Sequence, residues 1–331
     1  MHISKKRVLV TGGAGFIGSH LVRKLVENEN EVYILDNISS GYESNILVSK
    51  SVKFYKGDVR DQELVSKLVK DIDIVFHLAE FIPNTANYGA GHVVKFSMDN
   101  PLVEFDVSCK GTLVVLESIK KYSKKLVFAS TAAVYGETNE PNLKETYVTL
   151  PISPYGASKL CAEVYAQLYT RIHNLPIVIV RFFNVYGPMQ RKYVMYDTLR
   201  KLAINPTELK VLGTGSEERD FIYVDDVVDA LNLVAESENA IGQVLNIGCG
   251  KAISIRNLIN EMVRLLPVKP IIEFTNSNWK GNVNRLCADI TKIQKLGFTP
   301  KVTLHSGLNS LITWFNEFEK DLIKLNKSPK P

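Results

Sequence analysis

The sequence predicts an α/β fold, a doubly wound parallel sheet with a smaller α/β substrate-binding lobe, and three observations lead there. Strand-like and helix-like runs alternate through the first half of the chain. The strand-like runs are continuously apolar, as strands covered on both faces should be. Beyond Gly187-Pro188 the alternation breaks into shorter, irregular pieces.

Arg7 to Val10 reads as the first buried strand. The run Thr11-Gly12-Gly13-Ala14-Gly15-Phe16-Ile17-Gly18 follows it, and Gly12, Gly15 and Gly18 let the backbone turn sharply and approach a phosphate closely. His20 to Val26, with Leu21, Leu25 and Val26 periodic, begins a helix whose amino end would carry a pyrophosphate. The next strand, Glu31 to Leu35, ends at Asp36, 18 residues past Gly18. A carboxylate there accepts hydrogen bonds from an adenosine ribose, so the unit reads as a dinucleotide site of Rossmann type. Asp36 would repel a 2'-phosphate and no arginine directly follows it; the next residues are Asn37-Ile38-Ser39-Ser40-Gly41. NAD is therefore favoured over NADP.

Val52 to Tyr55 is a short strand, and Asp61 to Val69 a helix with Asp61 as its cap. Ile74 to Ala79, Leu126 to Ala129 and Ile177 to Val180 are further buried strands. Between them lie two long helices, about 101–120 and 154–172. Val103, Val107, Leu113 and Val114 on the first, and Ala157, Leu160, Val164 and Leu168 on the second, extend beyond one core stripe. Such helices need a second partner, which points to a homodimer, with a crowded monomer core as the alternative. A helix near Met195 to Ile204 leads to a strand over Leu209 to Leu212. Phe221 to Ala235 returns to strand-then-helix character, and Val244 to Ile247 is another strand. A helix from Ile255 to Leu266, an extended piece Ile271 to Phe274 and a closing helix near Leu304 to Asp321 complete the chain. The expected division is 1–182 with 222–248 for the dinucleotide, and 183–221 with 249–331 for the substrate.

At 331 residues, 45% hydrophobic and 23% charged, the chain can bury a large core. Cys109, Cys161, Cys249 and Cys287 show no paired spacing, which suggests buried thiols in a reducing compartment and no metal site. The leader Met1 to Lys6 lacks an apolar core and no run has transmembrane length, so a cytoplasmic protein without membrane contact is expected. The net charge is +5, with lysines at 120–121, 124–125 and 324–330 that read as a solvated face and tail. Basic and aromatic residues do not interleave, which argues against a nucleic-acid track. A mildly positive field suits a small anion such as a nucleotide diphosphate.

Tyr155 and Lys159 lie four apart at the start of the helix opened by Ser153-Pro154, on one face. A tyrosine with an ordinary pKa near 10 is too weak a base until a nearby ammonium lowers it. It can then take a proton from a substrate hydroxyl while hydride leaves the same carbon. The segment Ser130-Thr131-Ala132-Ala133-Val134-Tyr135-Gly136 follows a strand at the edge where substrate must lie. Thr131 is the candidate to share that proton, and Ser130 the fallback.

These motifs resemble the extended short-chain dehydrogenase/reductase family, in its NAD-dependent nucleotide-sugar epimerase and dehydratase branch. The resemblance is carried by Thr11 to Gly18, Asp36-Asn37, Gly57-Asp58-Val59, His77-Leu78-Ala79, Thr131 to Gly136, Tyr155 to Lys159, Arg181 to Pro188 and Arg219 to Asp226. It implies that the cofactor lies on Gly12, Gly15, Phe16, Ile17, Gly18, Asp36 and Asn37, with Asp58 and Val59 at the adenine. Leu78 and Ala79 would line the pyrophosphate, and Lys159 would hold the nicotinamide ribose. Thr131, Tyr155 and Lys159 would form the catalytic trio. Asn184 would hold the nucleotide-sugar diphosphate, and Arg219 and Arg285 would neutralise its phosphates. The two long helices would form a four-helix dimer interface.

Ala132 and Ala133 cannot transfer a proton, where relatives that eliminate water or carbon dioxide resemble an acid-bearing sequence. Oxidation of a hydroxyl and its reversal, a 4-epimerisation, therefore remains, and within the family the sequence most resembles the UDP-glucose or UDP-N-acetylglucosamine 4-epimerases. A 4-ketoreductase, a 4,6-dehydratase and an inactive NAD-binding scaffold are the alternatives. Three departures concern the substrate side. Glu80 follows His77-Leu78-Ala79 and leads into a long loop over 81–96; it reads as a solvated acid, with a second proton-transfer group as the alternative. Ser108-Cys109-Lys110-Gly111-Thr112 stands for the family's Asn-Val-x-Gly-Thr turn, and Trp279-Lys280-Gly281-Asn282 for its Arg-x-Gly-Asp.

Overall fold

Six apolar runs form the centre of the molecule because each is buried on both sides. A computed structural model describes residues 3–81, 92–277 and 281–325. Its largest sheet has seven strands, all parallel, in the order β3-β2-β1-β4-β5-β6-β10. They are β1 (Arg7–Thr11), β2 (Glu31–Asp36), β3 (Val52–Lys56), β4 (Ile74–His77), β5 (Lys125–Thr131), β6 (Ile177–Phe182) and β10 (Val244–Ile247). Val8, Leu9, Val10, Val75, Phe76, Val127, Phe128, Val178 and Val180 are fully buried. The chain steps outward from β1 to β3 and then crosses back to β4. Thr11 therefore stands between Leu35 on one side and His77 on the other. That reversal opens a crevice at the carboxyl ends of β1 and β4, where ligands of open sheets bind.

The covering helices follow the expected order. Helix α1 (Phe16–Glu27) starts inside the glycine run, earlier than the expected His20. Helix α2 (Gln62–Val69) is capped by Asp61, whose carboxylate accepts from the Leu64 amide at 3.0 Å. The expected helix over 101–120 runs unbroken from Pro101 to Tyr122, with a π turn inside it. Helix α3 (His92–Asp99) and α4 (Pro101–Phe105) lead into a π turn over Asp106–Lys110, and α5 (Gly111–Tyr122) continues from it. A π turn inside a helix has no strong local sequence signal and often accompanies a functional site. Helix α6 (Pro154–His173) has Pro154 in its first turn and Ser153 as cap, accepting from the Gly156 amide at 3.2 Å.

The expected strand at Phe221 does not join the parallel sheet. Strand β9 (Glu218–Tyr223) is the centre of a second sheet with β7 (Asn184–Tyr186), β11 (Ala252–Ser254) and β13 (Arg285–Leu286). Strands β8 (Glu208–Val211) and β12 (Ile271–Phe274) form a parallel ribbon. Helices α7 (Tyr193–Ile204), α9 (Ile255–Arg264) and α11 (Leu304–Phe318) pack this lobe around Tyr186, Tyr223, Leu258, Met262, Leu308 and Trp314. Helix α8 (Val224–Glu236) and β10 return to the large sheet, where short α10 (Thr291–Gln294) also packs.

Of the surplus apolar residues on the long helices, Leu113, Val114 and Leu160 pack into the core. Val164 stays exposed, with Leu102 and Phe105 of α4 and Ile172 of α6. Among the described residues no helix is long and apolar enough to cross a membrane, and no cluster of side chains could hold a metal ion.

Candidate active site

A cleft of about 580 Å³ runs along the carboxyl ends of β1, β2, β4 and β5 and on to β7, β9 and the start of α7. At one end the glycine run forms bare backbone. Gly12 has φ +73°, a conformation that only glycine adopts cheaply, and a Cβ there would lie 2.8 Å from the Ala79 amide nitrogen. A Cβ on Gly18 would collide with the Gly12 carbonyl oxygen. Gly15 caps α1 with no side-chain acceptor, so the first amides of that helix remain available to a ligand in the cleft. Phe16 and Ile17 line the same wall. These features fit a dinucleotide pyrophosphate.

Asp36 ends β2, and its carboxylate accepts from the Ala14 amide at 3.0 Å and the Ile38 amide at 2.8 Å. Burial raises its pKa, opposed by those two amides. Each oxygen keeps a lone pair for a further donor, as a ribose hydroxyl would supply. Asn37 donates to Asp58 at 2.9 Å. Arg60 grips Asp58 through Nε and Nη2 at 2.9 and 2.8 Å, which holds that carboxyl down to about 2. Asp58 and Val59 line the cleft beside Asn37. Leu78 and Ala79 lie opposite Gly12, tied to β1 through the Thr11 carbonyl and hydroxyl. Behind them His77 Nδ1 meets Thr11 Oγ1 at 2.7 Å and Nε2 meets Thr112 Oγ1 at 3.1 Å. Burial first, then the Lys159 charge, pushes this imidazole down to about 3, so it is neutral.

Further along, Tyr155 and Thr131 both line the cleft, and the Thr131 side chain favours ionisation of the phenol. Thr131 Oγ1 accepts from the Ala133 amide at 3.1 Å, which orients it at the end of β5. Lys159, one helical turn on from Tyr155, is buried over the Phe128 ring. Its Nζ donates to the Ala129 carbonyl at 3.1 Å and pairs with Glu80 Oε2 at 2.7 Å. Glu80 is therefore no solvated acid; its side chain is only 8% exposed, and Ser108 Oγ lies 2.6 Å from its Oε1. Tyr155 is held well above the ordinary tyrosine range, by burial first and by the Glu80 charge second.

Ser130 also borders the cleft, yet its hydroxyl is committed to Glu163 at 2.5 Å. Glu163 in turn takes two bonds from Arg181, so Ser130 belongs to a buried ion-pair network behind the strand. Asn184, at the start of β7, lines the cleft and donates to the Asp220 carbonyl at 3.2 Å. Arg219 lines it too, its guanidinium bonded to Asn282 Oδ1 and the Val283 carbonyl, both at 2.6 Å. Burial pushes Arg219 down to about 10. Arg285 lies at the start of β13. It pairs with Glu218 and donates to the Pro141 carbonyl at 2.9 Å, outside the cleft lining. Strand alternation turns its neighbour Leu286 inward instead.

The sequence reading did not single out Glu104, Lys192 or Tyr193. Glu104 carried no signal, since its burial depends on contacts with Ser108 and Glu80. Lys192 and Tyr193 follow the Asn184 to Pro188 motif directly and line the cleft, and proximity to that motif could have marked them. Burial alone brings Lys192 down to about 8. The expected loop over 81–96 becomes helical from His92; residues 82–91 lie outside the described residues, as do Trp279 and Lys280.

Comparison with known proteins agrees with this geometry. The family model described as GDP-mannose 4,6 dehydratase matches residues 9–311. A putative UDP-glucose 4-epimerase of Methanocaldococcus jannaschii is 37% identical, the match covering 93% of this chain and 97% of the relative. The chain belongs to the NAD-dependent nucleotide-sugar epimerase/dehydratase branch of the extended short-chain dehydrogenases/reductases. A UDP-N-acetylglucosamine 4-epimerase from Methanobrevibacter ruminantium, solved with UDP-N-acetylmuramic acid, superposes with a TM-score of 0.86 at 31% identity, covering 95% of this chain and 99% of that one. The Thermus thermophilus UDP-glucose 4-epimerase complexed with NAD gives 0.82 at 31% identity, covering 94% and 99%. This extended-family enzyme uses NAD and acts on a nucleotide sugar.

Gly18→Ala tests the pyrophosphate cradle. The added methyl meets the Gly12 carbonyl, so the turn must shift, at roughly 1–3 kcal/mol for an overpacked contact. Calorimetric titration with NAD should show at least about a tenfold loss of affinity, with cooperative thermal unfolding retained. Unchanged affinity would remove this turn from the cofactor site.

Proposed function

We propose that the protein is a 4-epimerase of a nucleotide-linked hexose. Its two lobes are residues 1–182 with 222–248, which hold the cofactor, and 183–221 with 249–331, which hold the sugar nucleotide. Gly12, Gly15, Phe16, Ile17 and Gly18 bind the pyrophosphate, Asp36 and Asn37 the adenosine ribose, and Asp58 and Val59 the adenine. Leu78 and Ala79 line the far side, and Lys159 holds the nicotinamide ribose. Held there, NAD would supply the acceptor and donor of a hydride at C4 of the sugar.

Tyr155 takes the proton from the O4 hydroxyl and gives it back after the flat 4-keto sugar has turned over. Thr131 bonds the same oxygen and keeps it aligned with the phenol. Asn184 and Arg219 hold the diphosphate, the tether about which the sugar rotates. A buried guanidinium suits that task, because a phosphate oxygen supplies the charge it lacks.

One observation carries the choice of epimerisation: Tyr155 and Thr131 line the cleft beside Ala132 and Ala133, two methyl groups with no proton to give. Elimination of water across C5 and C6 needs a further acid and base. Two of the enzymes that superpose on this chain, the M. ruminantium and T. thermophilus proteins, are 4-epimerases, which supports the same choice. Four free thiols suit a reducing, cytoplasmic setting.

The reaction is redox-neutral, so deuterium at C4 of the substrate should reappear at C4 of the product, as mass spectrometry and NMR would read. Tyr155→Phe should lower turnover by roughly 10²–10⁴-fold in that assay. Net consumption of NADH, a stable 4-keto-6-deoxy product, or a Phe variant with more than half the rate would overturn the reading.

We also propose a homodimer formed through the helices at about 101–120 and 154–172. Its support is the exposed apolar set Leu102, Phe105, Val164 and Ile172 on these helices. Light scattering should give twice the chain mass, and Val164→Asp should shift the protein to monomer. A monomeric wild-type protein at micromolar concentration would contradict it.

A further inference from the structure

Two carboxyl groups meet a single hydroxyl beside Lys159. Glu104 on α4 and Ser108 in the π turn share one helical face, and Glu80 reaches them from the segment after β4. Ser108 Oγ stands 2.6 Å from Glu80 Oε1 and 2.6 Å from Glu104 Oε1. A serine hydroxyl carries one proton and can donate it to only one of them. The other contact is this short only when that carboxyl brings a proton of its own. Glu80 faces the Lys159 ammonium at 2.7 Å and accepts from the Phe81 amide at 2.9 Å, so the negative charge resides there. Glu104 is fully buried, and among the described residues its Oε2 has no hydrogen-bond partner. A neutral acid tolerates that setting; a carboxylate does not.

We propose that Glu104 is a positioning residue for the proton transfer: as a neutral acid it donates to Ser108, Ser108 donates to Glu80, and the chain fixes one negative charge, and one only, against Lys159 next to Tyr155. The inference rests on Tyr155 being the acid–base group proposed above. With a single charge, Glu80 balances Lys159 and the two hold each other in place. Loss of the Glu104 proton to solvent would add a second charge in the same pocket. That charge would oppose ionisation of Tyr155, which Glu80 already holds high, and would turn the Ser108 hydrogen bond into a repulsive contact.

The groups around Glu104 leave this assignment intact. Across from it, α6 supplies Tyr155, Lys159, the Cys161 thiol and Glu163, the last locked to Arg181. The β4 side supplies Glu80 and the neutral His77, and the start of α7 supplies Tyr193, itself raised by burial and by Glu80. On its own helix Cys109 is a thiol pushed up to about 12, and Asp106 is paired with Arg60 and Lys110. Lys95 and Asp99 of α3 are exposed. Burial first, and the Glu80 charge second, push the Glu104 carboxyl up to about 8.

The test has two readouts. Infrared difference spectra of the ligand-free protein between neutral and alkaline pH should show one carboxylic-acid carbonyl band lost with a midpoint near 8, absent from Glu104→Gln. In turnover, kcat/KM of the wild type should fall on a single-proton alkaline limb near the same midpoint, and Glu104→Gln, neutral at every pH, should lose that limb. Lys192 also lies near 8 and lines the cleft, so a limb that persists in Glu104→Gln belongs to Lys192 and overturns the proposal. A wild type without the infrared band overturns it as well. Should Glu104→Gln fail to fold, Ser108→Ala cuts the bridge with Glu104 still present, and the infrared midpoint must then move; an unmoved midpoint counts against the chain. Retained turnover in Tyr155→Phe would instead defeat the functional reading, whatever the spectra show.

Discussion

A buried ammonium must be compensated, and the way Lys159 is compensated organises much of this site. The ammonium takes the Ala129 carbonyl from β5 and the Glu80 carboxylate from the end of β4. It thereby ties helix α6 to two neighbouring strands at the crevice between them. Leaving such a charge unpaired costs several kcal/mol, on the order of the whole margin that keeps a domain folded. Glu80 in turn needs Ser108, which the π turn between α4 and α5 carries. The catalytic edge and the turn in the neighbouring helix are thus parts of one electrostatic arrangement.

The glycine cradle stands at the other end of the same cleft. Gly12 packs its backbone on Ala79, next to Glu80, so the cofactor end and the proton-transfer end share one short segment of chain. Thr11 stitches that segment to β1 through its carbonyl and hydroxyl, and the neutral His77 ring fills the space behind. Small displacements of residues 77–80 would reach both ends together.

The parallel sheet was legible because its strands are apolar on both faces, and no other element type fits runs such as Ile74-Val75-Phe76. Asp36, Tyr155 and Lys159 were legible because each sits at a set distance from a glycine turn or helix start. The failures share a cause: non-local partners. Helix α1 starts at Phe16 although glycines disfavour a helix, because packing against the turn overrides propensity. Strand β9 reads like a return to the large sheet, yet its partners β7, β11 and β13 come from three distant places in the chain. Glu80 looks solvated until Lys159 and Ser108 are folded over it. No spacing rule anticipates the π turn, which widens the helix by one residue where Ser108 must reach two carboxyls.

The central claim is that this arrangement inverts one carbinol centre and does nothing else to the sugar. The most direct measurement starts from each of the two C4 epimers of the same nucleotide-linked hexose, without added NAD, and follows both by proton NMR. The account predicts that the two reactions converge on one ratio of epimers, with no third sugar and no free NADH. Conversion that runs in one direction to a keto sugar, or that stops until reduced cofactor is supplied, would contradict it.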